Sequence, residues 1–140
     1  MMNPVFHPIP GAEGWQVSNP PILPLAALRA SMELFDEVGM ERLRAKSEQL
    51  TGYLEYLIEQ GFSARVRSIT PKQPNERGSQ LSLVVSGNAR KVFDELALRG
   101  VICDWREPDV IRVAPVSLYN SFMDVFHFVN VFEEILKKHG

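Results

Sequence analysis

Apolar residues recur at helical spacing near both ends of the chain and at a spacing of two in its middle. Ile22, Leu25, Ala26, Leu28, Met32 and Phe35 form a stripe that predicts a helix over residues 21–36, with Asn19 or Pro20 at its mouth and Gly39 as its stop. Leu43, Ser47, Leu50, Leu54 and Leu57 form a second stripe, with Glu41, Arg44, Glu48 and Glu55 facing elsewhere. This predicts a helix over 40–60 that ends at Gly61. The period then drops to two. A strand is expected over 64–69 and a turn-rich loop over 71–78. A half-buried strand follows, in which Leu81, Leu83 and Val85 alternate with Gln80, Ser82 and Ser86. Asn88 is placed to cap a short helix containing Val92, Phe93 and Leu96, which Gly100 ends. Residues 101–105 and 110–114 read as the two strands of a hairpin, joined by a tight turn over 106–109. Ser121 and Asp124 open the last helix as a capping box, with Asp in place of the usual Glu. Its apolar face is expected to be Phe122, Val125, Phe126, Val129, Phe132 and Leu136.

That order predicts an α+β fold, a small and mainly antiparallel sheet covered by helices. Residues 1–21 stand apart as an extended proline-rich arm, and residues 22–140 are expected to form a single domain. The arm holds Pro4, Pro8, Pro10 and Pro20, yet also Val5, Phe6, Ile9, Trp15 and Val17. An apolar arm needs a surface, and part of that surface is expected to come from elsewhere. Because the chain enters directly into this loop, it is expected to be a portion of a longer protein. With 45% apolar and 23% charged residues, its 140 residues match ordinary globular composition. A net charge of −2 argues against nucleic acid and membrane surfaces as partners. Cys103 is the single cysteine, so no disulfide framework is possible. With no apolar run of about 18 residues and no basic-then-apolar leader pattern, a cytoplasmic protein is expected.

Arg112 is the most informative residue for chemistry. It lies within Val110-Ile111-Arg112-Val113-Ala114, and alternation puts it on one face with Val110 and Ala114. A guanidinium in so apolar a strand needs a partner, and its planar fork suits a carboxylate or phosphate. Two readings stand: an anion anchor, or an edge-strand arginine that meets solvent or a local Glu. Ser18-Asn19-Pro20-Pro21 sets two short polar side chains at a helix N-terminus, as a polar-ligand site or as a simple cap. Arg77, within Glu76-Arg77-Gly78-Ser79-Gln80, reads as part of a solvated loop or as a weaker ligand contact. His127 falls on the polar arc of the last helix with Asp124, Asn130 and Glu134. His7 and His139 lie in the arm and the tail, and the three histidines have no metal-ligand spacing. Cys103 reads as a buried small apolar residue. Trp15 and Trp105 read as packing residues, Trp15 near enough to Ser18 to line the same site. There is no glycine-rich phosphate loop, no nucleophile with a matched His and no paired-carboxylate motif. The five lysines, Lys46, Lys72, Lys91, Lys137 and Lys138, all fall on polar positions.

Longer strings carry a resemblance. Phe6-His7-Pro8-Ile9-Pro10-Gly11, Gly14-Trp15-Gln16-Val17-Ser18-Asn19-Pro20-Pro21-Ile22 and Leu50-Thr51-Gly52-Tyr53-Leu54-Glu55-Tyr56-Leu57-Ile58 are followed by Ile69-Thr70-Pro71 and Glu76-Arg77-Gly78-Ser79-Gln80-Leu81. Arg99-Gly100-Val101-Ile102-Cys103-Asp104, Ile111-Arg112-Val113-Ala114-Pro115 and Leu118-Tyr119-Asn120-Ser121-Phe122 complete the set. In order and over essentially the whole chain, these resemble the C-terminal region of the kynureninases. Another aminotransferase-like enzyme of the same fold would account for Arg112 and the Tyr119-Asn120 pair but not for the arm. The resemblance implies the small C-terminal domain of a homodimeric, fold-type I pyridoxal-phosphate enzyme that hydrolyses L-kynurenine or its 3-hydroxy form to an anthranilate and L-alanine. It implies that Arg112 binds the substrate's α-carboxylate, and that Asn19 sits at the cofactor and substrate-ring site with Ser18 beside it. It further implies that the Schiff-base lysine, the acid on the pyridine nitrogen and the phosphate cup belong to a large domain, the partner this chain needs for catalysis. Two readings without catalysis stay open: a stand-alone carboxylate-binding module using Arg112 and Asn19, and a dimerisation domain.

Overall fold

A computed structural model of the chain describes residue 5 and residues 7–139; residues 1–4, Phe6 and Gly140 lie outside the described set. The chain divides into two compact units, Met1–Gly39 and Met40–Gly140. The first helix, Ile22–Val38, falls in the unit that also holds the arm. No residue of its apolar stripe is buried.

In the first unit the arm is compacted by a 3-10 turn, Ala12–Trp15, whose start is closed by Gly14 N–H donating to the Gly11 carbonyl at 3.2 Å. Gly14 is required there, because a Cβ would collide with the carbonyl oxygen of Ile9. Helix α1, Ile22–Val38, follows Pro20-Pro21, and Leu25 N–H donates to the Pro21 carbonyl at 3.0 Å. Gly39, at φ 85°, ends it as expected, with its N–H on the Phe35 carbonyl at 2.8 Å.

The second unit is built on a four-stranded antiparallel sheet of order β1-β2-β4-β3, where β1 is Val66–Ser68, β2 Leu81–Val85, β3 Asp104–Arg106 and β4 Val110–Val113. Helices α2 (Met40–Phe62), α3 (Ala89–Leu98) and α4 (Phe122–Lys138) supply the rest of its core. This is the predicted α+β architecture. Alternation sorts the sheet cleanly: Leu81, Leu83, Val85, Ile111 and Val113 are buried with Leu50, Leu54, Val92, Leu96, Phe132 and Ile135 from the helices. Each such side chain contributes roughly 1.5–3 kcal/mol through burial. The opposite face carries Ser82, Val84, Val110 and Arg112, none of them buried. The register sets Ser82, Arg112 and Asp104 side by side on neighbouring strands, and Val84, Val110 and Arg106 in the next row.

The end signals behave as read where local chemistry decides them. Asn88 Oδ1 accepts from Lys91 N–H at 3.1 Å, and both halves of the Ser121–Asp124 capping box are formed. Gly100, at φ 79°, closes α3: its N–H reaches the Ala97 carbonyl and Val101 N–H the Leu96 carbonyl, both at 3.0 Å. That closure shortens the strand expected over 101–105, since Val101 N–H is spent on the helix. The strand expected over 64–69 is likewise reduced to Val66–Ser68. Gly61 does not end α2, which continues to Phe62; Phe62 is buried and meets the Phe132 ring edge-on at 5.8 Å. On α4 the buried face is Val125, Val129, Val131, Phe132, Ile135 and Leu136, whereas Phe122 and Phe126 are exposed.

Candidate functional site

Arg112 occupies an inner strand of the sheet, not an edge, on the face away from the core. Its side chain is 29% exposed. Nε and Nη2 both contact Oδ2 of Asp104, the residue directly across on β3. Asp104 also contacts Arg106 Nη2 at 3.3 Å. Two guanidinium groups and one carboxylate thus share the open face, leaving a net positive charge. No described residue partners Nη1 of Arg112. The local pairing expected with a Glu on an edge strand is made instead with Asp104 on an inner strand, and it takes only one edge of the fork.

Ser18 and Asn19 lie in the first unit and are exposed. The capping reading does not hold for them: the residue flanking α1 is Pro21, and no side chain caps it. The Ser18 carbonyl accepts from Gln16 Nε2 at 2.8 Å. Trp15, expected to pack, is 84% exposed, whereas Trp105 packs on Phe93 with ring centroids 5.7 Å apart.

Arg77 is not solvated. Its side chain is 3% exposed and Nη1 donates to Oε2 of Glu55 at 2.7 Å, with Glu55 itself 14% exposed. Around it the loop after β1 is tied to α2: Ser79 Oγ meets Ser47 Oγ at 2.9 Å, the Pro74 carbonyl accepts from Arg44, and Lys72 pairs with Glu59. The signal was available in Glu55, which lies one helical turn from Thr51 and Glu59 on the flank of the apolar stripe.

A cleft of about 460 Å³ lies within the second unit, between the segment after α3, the end of β4 and the first turns of α4. Tyr119, Asn120, Asp124 and His127 line its polar side and Cys103 its apolar side. Burial pushes the Cys103 thiol up to about 11, so it is a packing group and no thiolate nucleophile. The backbone N–H of Ser121, then its hydroxyl, hold the Asp124 carboxyl below its ordinary range. The Tyr119-Asn120 pair was the sequence signal for this cleft, since Asn120 Oδ1 accepts from Val116 N–H at 2.9 Å and folds the segment back. Among the described residues no group of three His, Cys, Asp or Glu is placed to hold a metal, and no helix is long and apolar enough to cross a membrane.

The lysines are engaged elsewhere or exposed. Lys46 Nζ donates to the Ser117 carbonyl, Lys137 pairs with Glu133 and Lys138 with Glu95, each at 2.8 Å. The hydrogen bond to Glu59, then its charge, raise the pKa of Lys72. That direction is opposite to the one that favours a neutral amine.

Residues 43–132 match the family model described as the kynureninase C-terminal domain. The chain belongs to that family. It is 58% identical over 131 residues to a kynureninase of Koribacter versatilis, covering 94% of this chain and 31% of the relative. Against a kynureninase of Myxococcus xanthus it is 56% identical over 132 residues, again 94% and 31%. This kynureninase C-terminal domain thus spans about a third of the length of the curated relatives it matches. Among solved structures, a NifS-like protein superposes with a TM-score of 0.73 at 18% identity, over 98% of this chain and 40% of that one. A C-DES mutant with glycine covalently linked to its PLP cofactor also gives 0.73, at 16% identity, over 89% and 32%. These likenesses establish the fold, that of the small domain of fold-type I pyridoxal-phosphate enzymes.

Proposed function

We propose that this chain is the C-terminal part of a pyridoxal-phosphate-dependent hydrolase that cleaves L-kynurenine, or its 3-hydroxy form, to an anthranilate and L-alanine. Its role is to hold the substrate's α-carboxylate on Arg112, with Asn19 at the substrate ring and cofactor and Ser18 beside it. The observation that carries this reading is the partly exposed guanidinium of Arg112 on the open sheet face, with one edge unpartnered by the described residues. The sequence identity to kynureninases supports this substrate class. In the complete enzyme the bound pyridoxal phosphate would supply an electron sink for bond cleavage. This chain would touch it through Asn19, whose exposed amide fits an outer contact and no more. The lysine that anchors the cofactor and the phosphate-binding groups would come from a large domain. The exposed apolar residues of α1 support a further protein surface of that kind. The complete enzyme would be a cytoplasmic homodimer.

The test is a chimera in which the corresponding third of the Koribacter versatilis kynureninase is replaced by this chain. Kynurenine cleavage, followed by anthranilate fluorescence, is expected in the chimera and absent from the chain alone. Arg112→Gln in the chimera should raise KM for L-kynurenine by about tenfold or more, the scale of a lost charge-assisted hydrogen bond. An unchanged KM would remove Arg112 from the site.

A further inference from the structure

We propose that Asp104 is a positioning residue for substrate recognition: a built-in carboxylate that occupies one edge of the Arg112 fork and aims the other edge at the incoming carboxylate. This rests on the reading of Arg112 given above. A guanidinium presents two forks, Nε with Nη2 and Nη1 with Nη2. Oδ2 of Asp104 takes the first, by contacts from both Nε and Nη2. Of the second, Nη1 has no partner among the described residues, and the side chain is 29% exposed. A free arginine side chain has many rotamers to lose, so a docked one binds with less ordering cost. Asp104 cannot easily swing away, because it faces Arg112 across the β3–β4 ladder and Arg106 Nη2 holds the same oxygen at 3.3 Å. The charges agree with the assignment. Arg112, Arg106 and Asp104 sum to one positive charge, which a single monoanionic carboxylate neutralises. Asp104 therefore discriminates: it leaves room and charge for one carboxylate on the remaining fork, and for no second.

The test compares L-kynurenine with its α-carboxamide, which has the same shape without the charge, in the chimeric holoenzyme. Asp104→Asn, nearly isosteric, and Asp104→Ala are expected to raise KM for the acid by about tenfold, leaving the inhibition constant of the amide and the kcat for the acid within about twofold. Asp104→Glu should recover part of the loss. Equal weakening of acid and amide would show a merely structural role and overturn the proposal. So would an unchanged KM, or tighter binding of the acid, which would make Asp104 a competitor. Arg112→Gln separates the two ideas. If it weakens the acid while the Asp104 variants do not, only the positioning role fails. If it leaves acid binding unchanged, the carboxylate site itself is wrong. Should a variant impair assembly, Nε–H exchange of Arg112 in this chain gives a second readout: slow in the parent, fast in Asp104→Asn. Equal exchange in both would also overturn the proposal.

Discussion

Two arginines in this chain have opposite fates, and the difference lies in what surrounds each carboxylate partner. Arg112 and Asp104 meet on an open face, where water shares the solvation and the pair adds little to stability. Arg77 and Glu55 are almost wholly buried, and Oε1 of Glu55 and Nε of Arg77 have no hydrogen-bond partner. A buried pair with unmet valences contributes little over an apolar replacement, yet losing one member strands a charge. Arg77→Met should therefore destabilise the domain by about 3–5 kcal/mol, while Arg77→Met with Glu55→Leu should recover most of that loss. Urea unfolding of the three proteins checks this; equal stability of Arg77→Met and the parent would contradict the burial.

At the scale of elements, α3 and α4 are joined at their C-terminal ends by one acidic residue. Glu95 accepts from Lys138 Nζ at 2.8 Å and from the His139 ring, and lies near Arg99 Nη2 at 3.5 Å. The hydrogen bonds from Lys138 and then His139 lower its pKa from 4.5 to about 2. A depressed carboxyl pKa adds stability that is present above the ordinary value and lost as pH falls through the folded one. The last turn of α4 should accordingly stay docked at neutral pH and loosen as pH falls from about 4.5 towards 2. Amide exchange of the last turn of α4, compared between the parent and Glu95→Gln, checks this: the variant should show a weaker dependence over that window. Legibility follows the same logic of range. Asn88, Gly100 and the Ser121–Asp124 box were readable because a cap is settled by residues three or four apart. The end of α2 at Phe62 was not, because Phe132, seventy residues on, decides whether that extra turn is worth making. Phe122 and Phe126 obey the helical period yet stay exposed, since the stripe says which residues share a face and not what covers it. For the site, the isolated charge in β4 pointed to Arg112. Asp104 was invisible as its partner until the strand register was known, and the loop at Arg77 was misjudged because its partner Glu55 lies 22 residues away.

The whole molecule divides unequally. Among the described residues, every buried apolar one belongs to the second unit and none to the first. Removing residues 1–39 should leave a domain that unfolds in one cooperative transition within a few degrees of the parent, by calorimetry. Loss of cooperativity would mean that the first unit contributes to the core. Ser18 and Asn19 lie in the unit that would be removed and Arg112 in the one that stays. The row Ser82–Arg112–Asp104 adds a last consequence. A slip of one residue between β2 and β4 would turn Arg112 into the apolar interior and Ile111 out to water. Burying that charge without its partner costs several kcal/mol. The residue assigned to reading the substrate thus also proofreads the pairing of its own strand, and a misregistered sheet is rejected before any ligand arrives.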